Sequence, residues 1–245
     1  MLRGTRRTLA AAVVLVLLAA AALVAWSYLR GRPQDLPWAP LDLGQPVGLF
    51  TGRKLAALDG APARCAALLD QAGVRYAAVP ARRPAESQCG YDSAVRLENG
   101  GARRIALAPA SVAVACPVAA ALAVWEWDVV APAAQRHFGT RVSRIEHLGS
   151  YSCRRMYGRS TGGWSEHATA NALDVAAFQL ADGTRVSVLG DWAGGDAKAA
   201  FLRDVRDGAC RVFATVLSPD YNAAHRDHLH LDQAARGATG WRACR

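Results

Sequence analysis

The sequence predicts an α+β domain behind an N-terminal transmembrane helix. Three observations lead there. Strand-like runs are punctuated by the hairpin signals Asn99-Gly100 and Asp182-Gly183. Helical stretches fall between them at intervals, without the regular strand–helix–strand alternation of a parallel sheet. Four of the six histidines, with one carboxylate at fixed spacing, gather in two late segments. The expectation is one domain, an antiparallel sheet carrying a zinc site with helices packed on it.

Residues 8–29 carry no charge, and about 20 apolar residues cross a bilayer core as a helix. A cleaved signal has a shorter apolar region and a small-x-small cleavage site. Ala22-Leu23-Val24-Ala25 is a poor version of one, because Leu23 precedes Val24. An anchor over residues 1–29 is therefore preferred to a cleaved signal. Arg3, Arg6 and Arg7 favour a cytoplasmic N-terminus, and Arg30 and Arg32 blunt the contrast. The expected location is the cell inner membrane, single-pass, with the domain in the periplasm.

The cysteines agree with export. All six lie beyond the apolar segment and none forms a CxxC pair, which disfavours a zinc knuckle or a thioredoxin-type motif. Dispersed cysteines in even number read as three disulfides. Of the roughly fifteen pairings open to them, neighbour pairing is preferred: Cys65 with Cys89, Cys116 with Cys153, Cys210 with Cys244.

Residues 30–59 read as a Pro-rich spacer, through Pro33, Pro37, Pro40 and Pro46, holding the domain off the membrane. The domain, residues 60–245, is long enough for a sizeable core. A first helix is expected over residues 61–71, stopped by Gly73, and then a strand over 74–79. Residues 95–97 and 104–107 flank Asn99-Gly100 as a hairpin. Pro117 opens a long helix that buries Leu122, Trp125 and Val129, is kinked or divided at Pro132, and ends at Gly139. A strand follows over 142–147. Residues 173–180 and 184–189 form a second hairpin around Asp182-Gly183. A helix over 197–207 and strands over 211–217 and 228–232 complete the chain.

The net charge is +9, from 29 basic and 20 acidic residues. The basic residues are dispersed and do not interleave with aromatics, so no nucleic-acid platform is present. An exported basic domain suits peptidoglycan or another anionic cell-wall polymer, or lipid headgroups. The alternative is that the arginines reflect a composition rich in Ala, Arg and Gly.

The chemistry gathers in Ser165-Glu166-His167-Ala168-Thr169-Ala170-Asn171-Ala172-Leu173-Asp174 and His225-Arg226-Asp227-His228-Leu229-His230. On a strand, His228 and His230 point the same way. One can bind a metal while the other addresses its water. His167 and Asp174 can reach the same ion if the chain turns between them. Two His, one Asp and an open position make a catalytic zinc site, whose water ionises near pH 7. His228 is the best-placed general base.

Ser165-x-His167-x6-Asp174 with Ala172, and His228-x-His230, resemble the signature of zinc D-Ala-D-Ala carboxypeptidases and murein endopeptidases. That pattern reads Ser-x-His-x-x-Gly-x-Ala-x-Asp followed by His-x-His or Glu-x-x-His. More closely, Tyr151-Ser152-Cys153-Arg154, the two segments above and Pro219-Asp220-Tyr221-Asn222-Ala223-Ala224 leading into His225 resemble the bacterial extensin-like C-terminal domain family, over residues 60–245. The resemblance implies zinc ligands His167, Asp174 and His230, catalytic base His228, and Arg154 as the cation steadying substrate or oxyanion. One departure is Ala170, where the peptidases carry Gly. If that position needs positive φ, Ala is disfavoured, and the loop is then expected to follow another path.

Other readings remain for several residues. His137 and His147 are expected to be structural. His225 is a substrate contact, an outer partner of the site, or loop surface, with surface favoured. Asp227 orients an imidazole or serves a turn. Glu166 is expected to point away if His167 points in. Ser165 is unsuited to a Ser/His/Asp triad, since no Gly-x-Ser-x-Gly elbow is present. Trp164, Trp192 and Tyr221 line a cleft or pack in the core. Two further functions compete with a hydrolase: a non-catalytic wall-binding module on the same scaffold, favoured by Ala170, and a disulfide-braced partner of a membrane complex.

Overall fold

The computed structural model describes residues 2–86, 88–237 and 241–245. The N-terminal helix α1 (Leu2–Arg30) is long and apolar, and none of it is buried between residues 5 and 30. A 3-10 turn (Pro33–Asp35) and the short helix α2 (Thr51–Ala56) follow. Helix α3 (Pro62–Gln71) leads into β1 (Val74–Ala78), β2 (Ala94–Gly101), β3 (Ala106–Ala108) and β4 (Val114–Ala115). Helix α4 (Cys116–Trp125) runs through a π-helical stretch (Glu126–Val130) into α5 (Ala131–Phe138). The remainder is β5 (Val142–Gly149), β6 (Ala172–Leu180), β7 (Arg185–Ser187), α6 (Val188–Asp191), α7 (Ala197–Ala209), β8 (Thr215–Leu217), β9 (Leu229–Asp232) and β10 (Ala243–Cys244).

The architecture is α+β, as the sequence predicts. A three-stranded antiparallel sheet has the order β1-β2-β4. A seven-stranded sheet has the order β10-β8-β9-β6-β5-β3, with β7 beside β6. Its centre is antiparallel, while β10 and β3 join parallel to β8 and β5. Both parallel strands are edge strands of two or three residues, added by chain segments that are not hairpin neighbours.

Helix α4 is buried along its whole length. Its residues are all apolar, which suits a helix enclosed on all sides. Trp125 meets Phe178 of β6 and Phe213, and its indole N–H donates to the Val205 carbonyl at 2.9 Å. The Leu122, Trp125, Val129 stripe is core, as expected. Gly139, with φ 64, closes the helix in the left-handed conformation glycine favours. Gly208 on α7 lies against Val129, where a Cβ would overlap the valine side chain.

The structure corrects several expectations. Asn99-Gly100 is not a hairpin turn: β2 continues through Gly101, which pairs with Val74. The reason lies in Arg103. Its guanidinium forms a buried ion pair with Glu126, Nε to Oε2 at 3.0 Å, and the Arg104 and Ile105 amides donate to the same carboxylate. This redirects residues 106–108 into the larger sheet. The strand expected over 211–217 begins only at Thr215, because residues 208–213 wrap in turns closing α7. The spacer expected over 30–59 is packed in large part: Leu41, Leu43, Leu55 and Leu58 join the hydrophobic core. The segment runs in turns and the short helix α2, and its leucines dock it.

Neighbour pairing of the cysteines holds only for Cys210–Cys244. The other bridges are Cys65–Cys116 and Cys89–Cys153, with Cα separations of 6.1 and 5.5 Å. Helix α3 packs on α4, which brings Cys65 to the start of that helix. Cys89 instead reaches the loop after β5. Non-reducing digestion with mass spectrometry should return the 65–116, 89–153 and 210–244 cross-links. A Cys65–Cys89 peptide would refute this packing.

Candidate functional site

β6 carries Asp174 and β9 carries His230, and the strand register sets them directly opposite. Residues so paired have Cβ atoms about 4.5–5.5 Å apart, so these two meet through sheet geometry alone. His167 arrives on a 3-10 turn, Glu166–Thr169, just before β6. Ser165 caps this turn, its Oγ accepting from the His167 N–H at 3.3 Å. Backbone bonds fix it from three sides: Gly90 N–H to Ala168 O, Ala115 N–H to Ala170 O and Ser152 N–H to His167 O, at 2.8, 2.8 and 2.9 Å. The Cys89–Cys153 bridge joins two of the segments that make these bonds.

Three side-chain atoms converge. His167 Nε2 lies 3.2 Å from Asp174 Oδ1 and 3.2 Å from His230 Nδ1. His230 Nδ1 lies 3.0 Å from Asp174 Oδ1. All three residues are buried. The outer ring nitrogens are already engaged: His167 Nδ1 with the Ser150 carbonyl at 2.5 Å, His230 Nε2 with Asp232 Oδ2 at 3.0 Å. A carbonyl and a carboxylate only accept, so each outer nitrogen carries the N–H. In a neutral imidazole the inner nitrogen is then a lone pair. Two lone pairs and a carboxylate aimed at one point need a cation between them.

The electrostatics express that need. Burial pushes the Asp174 carboxyl up, but hydrogen bonds from His167 and His230 outweigh it and hold the group well below the carboxylate range. Burial depresses His230, yet Asp174 and Asp232 outweigh it and raise the imidazole to about 9. A proton can serve as the cation. A metal can also: donors about 2.0–2.1 Å from a tetrahedral zinc lie roughly 3.3 Å apart, close to the separations here. His167 Nε2, His230 Nδ1 and the Asp174 carboxylate are the donor set, with Ser150 and Asp232 as the outer partners that metal-binding imidazoles need.

His228 stands beside this trio. Its Nε2 lies 3.5 Å from Asp174 Oδ1, and its Nδ1 meets Asp227 Oδ1 at 2.8 Å. Asp227 thus orients the ring with the Nε2 lone pair facing inward. His225 is buried, which corrects the surface expectation. Its Nδ1 meets Asn222 Oδ1 at 2.8 Å, and its ring lies 5.3 Å from that of His228. Burial, then His228 and His230, lowers His225 to about 4, so it is neutral at physiological pH.

The trio opens into a cavity of about 1070 Å³. Arg154, Trp164, Tyr221 and Trp241 are on its walls. Arg154 is exposed there. Trp192 is elsewhere, buried with its indole N–H on Asp220. Glu166 also faces the cavity instead of leaving it; burial raises its carboxyl, and Asn171 donates to it at 2.7 Å. His137 and His147 are structural, bonded to Asp204 and to the Pro109 carbonyl.

Against known sequences, the model of the family described as Extensin-like protein C-terminus matches residues 63–245. The chain belongs to that family. No curated protein and no solved structure matches it.

Within the extensin-like domain, sequence reasoning missed Ser150, Asp232 and Asn222 as partners of the imidazoles. Only Asp232 left a signal: it lies two residues after His230, on the same strand face. Ala170 also departs from expectation. The loop keeps the left-handed path, with Ala170 at φ 57 and its methyl fully buried. Ala170→Gly should leave stability within about 1 kcal/mol, because relief of left-handed strain offsets added chain freedom and lost burial. Ala170→Val should cost more than about 2 kcal/mol, since a β-branched residue is a true outlier there. Urea unfolding of both variants checks this.

Proposed function

We propose that this extensin-like protein is a zinc-dependent hydrolase of amide bonds in cell-wall peptidoglycan peptides. The reading includes kinship with the zinc D-Ala-D-Ala carboxypeptidases and murein endopeptidases. It is carried by one observation: two imidazoles, each with its outer N–H committed, aim their lone pairs and a carboxylate at a single buried point. The apolar N-terminal helix and three disulfides support placement in the cell inner membrane with the domain in the periplasm.

His167, Asp174 and His230 would hold the metal and leave one position open to the cavity. Zinc there would supply Lewis acidity toward a carbonyl and a water acidified to near neutral. His228, oriented by Asp227 with Nε2 toward the site, would take up a proton at Nε2 from an attacking water and give it to a leaving amine. Arg154 offers a fixed positive charge on the cavity wall for the carbonyl oxygen or a substrate carboxylate. Ser165 takes no part in the proton transfers, since its hydroxyl caps the turn that presents His167. Ala170 adopts a left-handed backbone in the turn that presents His167, which supports a site formed without glycine at that position.

Purified protein should contain about one zinc per chain, and His167→Ala or Asp174→Ala should abolish it. His228→Ala should keep the metal and lose about 10²–10⁴-fold in the rate of releasing new fragments from isolated sacculi. Binding to sacculi without new fragments, zinc being present, would reject the hydrolase.

Asp232→Asn should weaken zinc affinity about 10–100-fold without unfolding the domain. Competition with a chromogenic chelator measures it; unchanged affinity would show that the Asp232 contact does not tune His230.

A further inference from the structure

Hydrogen bonding is unbroken from α1 into the domain. Gly31 N–H donates to Ser27 O, Arg32 N–H to Leu29 O and Asp35 N–H to Arg32 O, at 3.3, 3.2 and 3.0 Å. The turn after the helix is then clamped by later residues. Leu49 N–H donates to Asp35 Oδ1 at 2.8 Å, Phe50 N–H to Gln34 O at 3.3 Å and Lys54 Nζ to Pro33 O at 3.4 Å. Val47 N–H donates to Asp128 beside the central helix, at 2.8 Å. The domain wall therefore begins within a few residues of the end of α1, and three extended residues span only about 10 Å.

Two large apolar side chains are bare on this wall. Trp38 is 77% exposed and Leu49 79%, the highest values among large hydrophobics of the described residues. Isolated exposed apolar residues need no explanation. These two flank one point: Trp38 is three positions beyond Asp35, and Leu49 is bonded to it. The outer end of α1 carries Trp26 and Tyr28, with the Arg30 and Arg32 guanidinium groups 5.2 Å from the respective ring centroids. Aromatic rings and arginines at a helix end mark the headgroup level of a bilayer. Trp38 and Leu49 lie next to that level.

We propose that Trp38 and Leu49 dock the domain flat on the outer headgroup layer, with Arg30 and Arg32 meeting anionic lipids. The proposal rests on α1 being a retained membrane helix, and it replaces a domain held away on a spacer with one seated on the bilayer.

The test uses the full chain in nanodiscs of phosphatidylethanolamine and phosphatidylglycerol doped with a headgroup-nitroxide lipid. Difference spectra against Trp38→Phe and Trp26→Phe isolate the two indoles. The Trp38 emission should lose most of its intensity to the nitroxide. Leu49→Asp should restore most of it with the circular dichroism unchanged, and discs of phosphatidylcholine should quench less. A quenched Trp26 with an unquenched Trp38 would overturn docking while leaving the anchor intact. An unquenched Trp26, or an intact mass lacking residues 1–29, would remove the anchor and the docking together. Trp38 quenching that survives Leu49→Asp would overturn the two-residue contact, and equal quenching in phosphatidylcholine would overturn the role of anionic lipid.

Discussion

The structure turns on the seam between β6 and β9, where Asp174 faces His230 across a strand pair and His167 closes over both. Each contact at this point is an acceptor meeting an acceptor unless a cation lies between. Burying such a set is costly, because a desolvated carboxylate and two imidazole lone pairs lose water without gaining one another. The surroundings are arranged to keep it nonetheless. Asp232 and the Ser150 carbonyl hold the outer N–H groups, so neither ring can turn its donor inward without abandoning a buried partner. Two imidazoles and a carboxylate are thereby held on one buried point.

The rest of the fold serves that rigidity. β6 is the central strand of the larger sheet, flanked by β5 and β9 and covered by the α4 helix through Trp125 and Phe178. A central strand buried on both faces has a fixed register, and a one-residue slip would turn Asp174 away. The His167 turn has little secondary structure of its own. It is held by backbone bonds from three separate segments, with the Cys89–Cys153 bridge tying two of them together. Ala170 accepts a left-handed backbone there. Strain of this kind persists only where the neighbours over-determine the conformation.

Much of this was legible in the sequence, and the limits are instructive. The His-x-His pair and the Ser165-to-Asp174 segment announced the trio because strand alternation and a single turn suffice to bring them together. The central helix was readable from Pro117, the apolar stripe and Gly139. The Asp182-Gly183 hairpin was readable too, since both its strands belong to one sheet. Asn99-Gly100 misled because a long-range contact outweighed local turn chemistry: the buried Arg103–Glu126 pair pulls the next residues into the other sheet. Cysteine pairing and the docking of residues 41–58 depend on helix packing, which local pattern does not encode. Ser150 acts through its carbonyl, so its side-chain identity carried no signal.

The central claim is that the point shared by His167, Asp174 and His230 binds zinc. Anomalous diffraction at the zinc edge, from crystals of the untreated protein, tests it most directly. The account predicts one strong peak about 2.0–2.2 Å from His167 Nε2, His230 Nδ1 and an Asp174 oxygen. Fully ordered side chains with no peak at that point, the imidazoles and carboxylate joined only by shared protons, would contradict it.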